Sequence, residues 1–496
     1  MAHEGCDHCN RATAGRGLSR RAFFDRVSDG VYGAALATLL SRDVYGSVET
    51  PAALPDGHRR VYDLKPRSPH FEPKAKAMIH LFMNGGPSQM DLFDPKPMLD
   101  KHHGEAYFDK VAADITSPEQ TGGIMRSPFK FGQYGKSGAW VSECLPHLTE
   151  VVDDLAFIRS MYTMHPNHEP ALFMIQSGRI IPGRPSMGSW VVYGLGSVSQ
   201  NLPAYVVLDD PLGLPINGTQ NWQAGFLPPV YQGTRIRSKG SPILNLTPET
   251  QEPSEVAQAG KELLSRLDLI HKRNHPNELQ LDARISSYEL AANLQMSASD
   301  ALDISKESPE TLEMYGVGQE PTDSYGRRCI MARRLIERGV RFVQLYINSQ
   351  IWDNHTYLER DMRAASARTD KPIAALIKDL KQRGLLKDTL VAWGGEFGRM
   401  PIAQMENGME SAGRDHNPQA FTLWMAGGGV KAGIVHGSTD DLGHLAVEGR
   451  VSVTDWHATI LHLLGLDYQR LVFDQNGLKE KLTSVFEARI VNEILA

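Results

Sequence analysis

Apolar residues in this chain come in short unbroken runs, separated by stretches in which they return every three or four positions. "AMIHLFMN" (77–84), "LAFIRSM" (155–161) and "AYVVLDD" (204–210) are runs of strand-forming residues, and "RFVQLYI" (341–347), "DTLVAW" (388–393) and "AFTLWMAGG" (420–428) repeat the pattern later. Helical spacing marks 254–273 and 281–296, then "SYGRRCIMARRLIERG" (324–339), 361–384 and "TDWHATILHLLGL" (454–466), the last with Thr454 as its N-cap. Runs without a polar face suit strands covered on both sides. The alternation therefore predicts an α/β fold, a mostly parallel central sheet with helices on both faces. The segment 211–252 is polar and rich in Gly, Pro and Asn, and reads as an insertion or lid. With the helices after it, it places an insertion near 211–320 inside one domain spanning 70–490.

Composition narrows the class without changing that picture. Of 496 residues, 41% are hydrophobic and 22% charged, as in ordinary globular proteins. A net charge of −6 gives no electrostatic case for nucleic acid or an anionic membrane. No run of apolar residues is long enough to predict a membrane span in the mature chain. Cys6, Cys9, Cys144 and Cys329 are too sparse for a disulfide framework, and "CDHC" (6–9) has the spacing of half a zinc site with no second CxxC after it. The N-terminus says more. Arg20-Arg21 with Phe23 and Phe24, followed by "VYGAALATLL" (31–40), resembles a twin-arginine export signal. The alternative is an amphipathic helix with a chance arginine pair, since Asp25 and Asp29 fit a signal poorly. Export makes residues 1–50 a signal and linker outside the fold, and places the protein in the periplasm or at the cell surface.

Polar residues gather where the predicted strands end. Asn84, Ser88, Asp91 and Asp94 follow the first; His165, Asn167, His168 and Glu169 the second; Asp353 and His355 follow 341–347, and Glu396 follows 388–393. Arg414, Asp415, His416 and Asn417 lie just before 420–428. Carboxyl ends of strands are where open α/β sheets build their sites. Any one Asp–His pair also reads as a capping acid beside a surface histidine. The whole set points to a divalent metal, or to an anion held by one. Imidazole with carboxylate suits zinc, manganese or iron, whereas oxygen ligands alone suit calcium or magnesium. Asp353 and His355, two apart, can converge from an extended loop, and Asp415-His416 can add ligands from another. His436 and His444 flank a turn and read as surface residues, with the lining of a cleft as the alternative, while Asp455 serves a helix dipole. No G-x-S-x-G elbow, phosphate loop or dinucleotide fingerprint is present.

Six motifs in order, "HLFMNGGPSQMDLFDPKP", "NHEPALFMIQSGR", "WDNH", "GGEFGRMP", "GRDHNP" and "SVTDWHATILHLLGL", resemble the domain of unknown function 1501 family over about residues 75–470. That family is similar to sulfatases and to the alkaline phosphatase superfamily, which implies a sulfatase-like fold. The resemblance places Glu396 at a metal-binding acid and Phe397 at the histidine that usually follows it. It places His416 at a metal ligand, His168 at the nucleophile position, and Asn84 or Asp91 at the first metal-binding acid. Asp353 and His355 correspond to an Asp and a His spaced four apart in phosphatases. The implied metal set is Asp91, Asp353, His355, Glu396, Asp415 and His416, holding zinc, manganese or calcium. His168, Arg399 and Arg414 are the implied catalytic set, the arginines facing an anion. The implied activity is hydrolysis of sulfate or phosphate esters, on a small anionic ester or a sulfated glycan. With His168 where Ser, Thr or Cys is usual, it becomes a nucleophile, a ligand or a general acid/base. Phe397 removes a ligand, so the resemblance implies one metal, or two bound unequally. The alternative is an inert relative that binds an anionic glycan or a protein partner at the cell surface.

Overall fold

Each of the six apolar runs forms a strand of one sheet. The computed structural model describes residues 62–199, 201–237, 253–275, 285, 300–347, 350–405 and 408–496. The export signal expected over 1–50, Cys6 and Cys9 lie outside the described residues, as does nearly all of the helix expected over 281–296. The strands are β1 (Ala77–Phe82), β2 (Leu155–Tyr162), β3 (Tyr205–Leu208), β4 (Thr234–Ile236), β5 (Phe342–Tyr346), β6 (Thr389–Gly394), β7 (Phe421–Ala426), β8 (Ile434–His436) and β9 (Val451–Ser452). Their order is β8-β2-β7-β6-β1-β5-β3-β4, with β9 also paired to β2. Every pairing is parallel except the two made by β7. β4 lies within the segment expected to be an insertion or lid, but its Thr234–Ile236 pairs with β3 and extends the sheet. Three residues are too few to stand out against that polar background.

The two faces of β1 bury different cores. Ile79 and Leu81 pack into one cluster with helices α4 (Asp323–Glu337) and α5 (Leu358–Gln382). Met78 and Phe82 pack into another with α1 (His168–Ser177), α2 (Met187–Leu195) and α6 (Val453–Leu463). That is the expected α/β arrangement, with a mostly parallel sheet covered on both sides. Helix α3 (Ser254–Asn274) belongs to a separate compact unit from the rest of the described chain. Helix α6 begins earlier than expected, because Ser452 and not Thr454 is its N-cap. The Ser452 hydroxyl accepts from the Asp455 N–H at 3.0 Å while Asp455 accepts from the Ser452 N–H at 2.9 Å. Among the described residues no helix is long and apolar enough to cross a membrane.

Two histidines are sealed under α1. His80 on β1 accepts from Gln344 Nε2 at 3.2 Å, and His457 on α6 donates to the Ile175 carbonyl at 2.8 Å. Burial pushes His80 down to about 3 and His457 down to about 4. Unfolding exposes both to water, where they take up protons below about pH 6.5. The unfolded state thus binds more protons, and stability falls as pH drops from 6.5 towards 4. Each histidine contributes roughly 1.4 kcal/mol per pH unit in that window. The His80→Leu variant should therefore lose less stability than wild type between pH 6.5 and 4.5, by roughly 2–3 kcal/mol. Denaturant unfolding across that range checks it, and equal losses would show that His80 is charged when folded.

Candidate metal centre

The loop after β1 makes room for the site. Gly85 and Gly86 take φ of +107° and +76°, conformations that L side chains rarely adopt. A Cβ on Gly85 would lie 2.5 Å from the backbone nitrogen of Asp353, and one on Gly86 2.6 Å from the Phe397 ring. Two other loops reach the end of β1 only because those side chains are missing. The Gly85 N–H donates to Glu396 Oε1 at 3.0 Å, turning the acid that follows β6 back towards β1. Asn84 Nδ2 donates to the Ile347 carbonyl at 2.6 Å and joins the ends of β1 and β5.

Four side chains then converge from three loops. His168 is the first residue of α1, Asp353 and His355 follow β5, and His416 precedes β7. His416 sits in a short ribbon where His416–Asn417 pairs antiparallel with Gly398–Arg399. Because β7 runs against its neighbours, the residues before it arrive at the edge where the other strands end. His355 Nε2 lies 2.9 Å from Asp353 Oδ1 and 2.8 Å from His416 Nε2, and His416 Nε2 lies 3.1 Å from the same oxygen. His168 Nε2 faces Asp353 Oδ2 at 3.1 Å, while its Nδ1 meets Glu396 Oε1 at 2.7 Å. One ligand atom from each of His168, Asp353, His355 and His416 falls within 4.8 Å of the others. Solvent reaches the group from one side, with the His355 side chain 26% exposed and Glu396 fully buried.

Charge in this cluster is organised around Asp353. Burial alone would raise its carboxyl, but the Arg399 guanidinium at 2.5 Å and the three imidazoles hold it well below the usual carboxylate range. Burial likewise pulls the His168 imidazole down, and its contacts with Asp353 and Glu396 outweigh that and raise it to about 9. Burial lowers His416, assisted by Arg399 and opposed by Asp353. Phe397, fully buried, packs its ring 4.8 Å from that of His168 and 4.4 Å from that of His416.

The remaining predicted residues sit around the cluster rather than in it. Asp91 takes a two-pronged pair with Arg414, at 2.6 and 3.1 Å, and both are fully buried. The other Arg414 donors go to the Met400 and Met125 carbonyls at 3.3 and 3.1 Å. Arg399 gives its donors to Asp353 and to the carbonyls of Gly85, Gly86 and Arg414. Both arginines thus have their guanidinium edges engaged within the protein. Asp415 accepts from the backbone N–H of Thr116 at 2.8 Å and of His416 at 2.7 Å. Sequence reading missed Gln404, which contacts His355, and also Gln120 and Thr116. An uncharged side chain carries no signal in a search for ligands or acids. His444, read as a surface residue, is buried and faces Asp114 at 3.3 Å.

The family model described as "Protein of unknown function (DUF1501)" matches residues 75–495. Among solved structures, the PsFucS1 sulfatase from Pseudoalteromonas sp. is 12% identical, with 85% of this chain and 72% of that chain covered at a TM-score of 0.38. The lipoteichoic acid synthase LtaP from Listeria monocytogenes is 10% identical over 81% of this chain and 76% of that one, at 0.31. An alkaline phosphatase from the Antarctic bacterium TAB5 is 10% identical over 79% and 98%, at 0.28. At such identities and TM-scores these likenesses assign neither a residue nor an activity to this chain. No match was found among curated proteins.

At neutral pH the His168 imidazole is charged, its pKa raised to about 9, and a divalent cation held by Asp353, His355 and His416 would repel that charge and favour loss of the proton. Metal affinity should rise by up to about tenfold per pH unit towards pH 9 and level off above it. Calorimetric titration in buffers of different ionisation enthalpy should count about one proton released per ion at pH 7. Affinity that is flat between pH 7 and 9 would show that the metal position does not sense the His168 charge.

Proposed function

The chain belongs to the DUF1501 family, whose function is unknown, and from that premise and the geometry we propose that it is a metal-dependent hydrolase of sulfate or phosphate esters. Its substrate is a small anionic ester or a sulfated glycan, and it works after twin-arginine export, in the periplasm or at the cell surface. One observation carries the reading. Three imidazoles and a carboxylate bring donor atoms within 4.8 Å of one another at the carboxyl edge of the sheet. The fit to a cation is chemical. Two imidazole nitrogens and a carboxylate oxygen share one small space, where lone pairs repel unless a positive charge lies among them. The mixed nitrogen and oxygen set suits zinc or manganese better than calcium.

Asp353, His355 and His416 would hold the ion, and Arg399 orients Asp353 from behind. A bound ion would supply a water of lowered pKa and polarise an ester oxygen. Glu396 takes the His168 Nδ1 proton in a hydrogen bond of 2.7 Å, which fixes the ring and leaves Nε2 towards the cluster. His168 is therefore the proton carrier beside the scissile bond. Asp91 with Arg414, and Asp415 with Thr116, hold the loops that carry these groups. Phe397 excludes water from one side of the imidazoles.

A second reading, an inert protein that binds an anionic glycan or partner, draws on the contacts of His168, which already bridges Asp353 and Glu396. Metal-replete expression followed by elemental analysis separates the two. The hydrolase should retain zinc or manganese and cleave an aryl sulfate or an aryl phosphate, and Asp353→Asn should abolish both properties. His168→Ala should keep the metal but lose about 10²- to 10⁴-fold in rate. Protein that retains metal yet cleaves neither ester leaves the binding reading standing, and protein without metal ends the first.

A further inference from the structure

The side of His355 turned away from the cluster has a partner of its own. His355 Nδ1 lies in hydrogen-bond contact with Gln404 Oε1, and Gln404 Nε2 donates to Gln120 Oε1 at 2.7 Å. Gln404 is buried at the end of the strand Ile402–Gln404, which pairs antiparallel with Thr121–Ile124. Its backbone is held on both sides, its N–H by the Gly413 carbonyl at 2.8 Å and its carbonyl by the Gly413 N–H at 3.1 Å. A neutral imidazole carries its proton on one nitrogen and a lone pair on the other. His355 Nε2 is the nitrogen that faces Asp353 and His416.

We infer that Gln404 is a positioning residue: by accepting from His355 Nδ1–H, it selects the tautomer whose Nε2 lone pair faces the cluster. The inference rests on the metal reading of the site. Gln120 supports it, because an amide that gives its NH₂ to the Gln120 carbonyl oxygen leaves its own carbonyl oxygen for His355. The acceptor must belong to residue 404, since the ring is turned only when that residue receives the proton.

Zinc(II) and manganese(II) titrations of the full chain test this with two variants. Gln404→Met keeps the length of the side chain but has no amide acceptor, and should weaken metal binding about 10- to 100-fold. Gln404→Glu supplies a permanent acceptor and should retain or tighten binding. A residue needed only for packing would lose binding in both variants, or in neither. Thermal melting of each variant is measured alongside, and if Gln404→Met does not fold, Gln404→Ala takes its place. Wild-type protein that binds neither metal overturns the metal reading itself. Wild-type binding matched by Gln404→Met, or lost equally in Gln404→Glu, overturns this inference alone.

Discussion

Arg399 sends its guanidinium beneath the site, where it meets Asp353 and the carbonyls of Gly85, Gly86 and Arg414. Those partners come from three separate loops, following β1, following β5 and preceding β7. The side chain is almost completely buried, so its charge has no recourse to water. A buried charge stripped of its partner costs about 3–5 kcal/mol, which makes Arg399 and Asp353 mutually dependent. The geometry of the imidazole cluster follows from this pair, because the three histidines all take their direction from the Asp353 carboxylate. Arg399 thus acts on the chemistry through Asp353 and through its charge beside His416.

The other side of the cluster is set by an apolar ring. Phe397 lies against both His168 and His416 and offers neither a proton nor a lone pair. It keeps water from one flank of these two imidazoles, whose polar neighbours are Asp353, Glu396 and the His355 ring. Glu396, one residue earlier, meets its need with the Gly85 N–H and His168. The acid and the phenyl ring thus divide the end of β6 between a charged partner and a dry wall.

Much of this was legible in the chain because strand cores need unbroken apolar runs, and Ile79, Leu345 and Val391 lie in such runs. Asp353, His355, Glu396 and His416 were legible because they stand next to those runs, where the backbone must turn. Direction was not legible. Nothing in the sequence says that Asp415 turns to the backbone of Thr116 while its neighbour His416 turns to the cluster. Nor does it say that Arg414 closes on Asp91, 323 residues away. Gln404 and Gln120 escaped because amides become informative only once their partners are known. Thr234–Ile236 escaped because an edge strand of three residues has no periodicity to read.

The reversed strand β7 lies between β2 and β6, so β2 has no direct bond to β1 or its parallel neighbours. A growing chain makes β2 more than 250 residues before the strand that will tie it to the rest of the sheet. Until β7 arrives, β2 has no strand through which to join the rest of the sheet. Pairing of this kind is slow, because a long loop must close before any contact rewards it. Assembly of the centre is thereby postponed to nearly the last step of folding, when His416 and β7 enter together. A half-made chain can hold its early strands with His168, Asp353 and His355 already made, yet it lacks His416, the fourth member of the cluster.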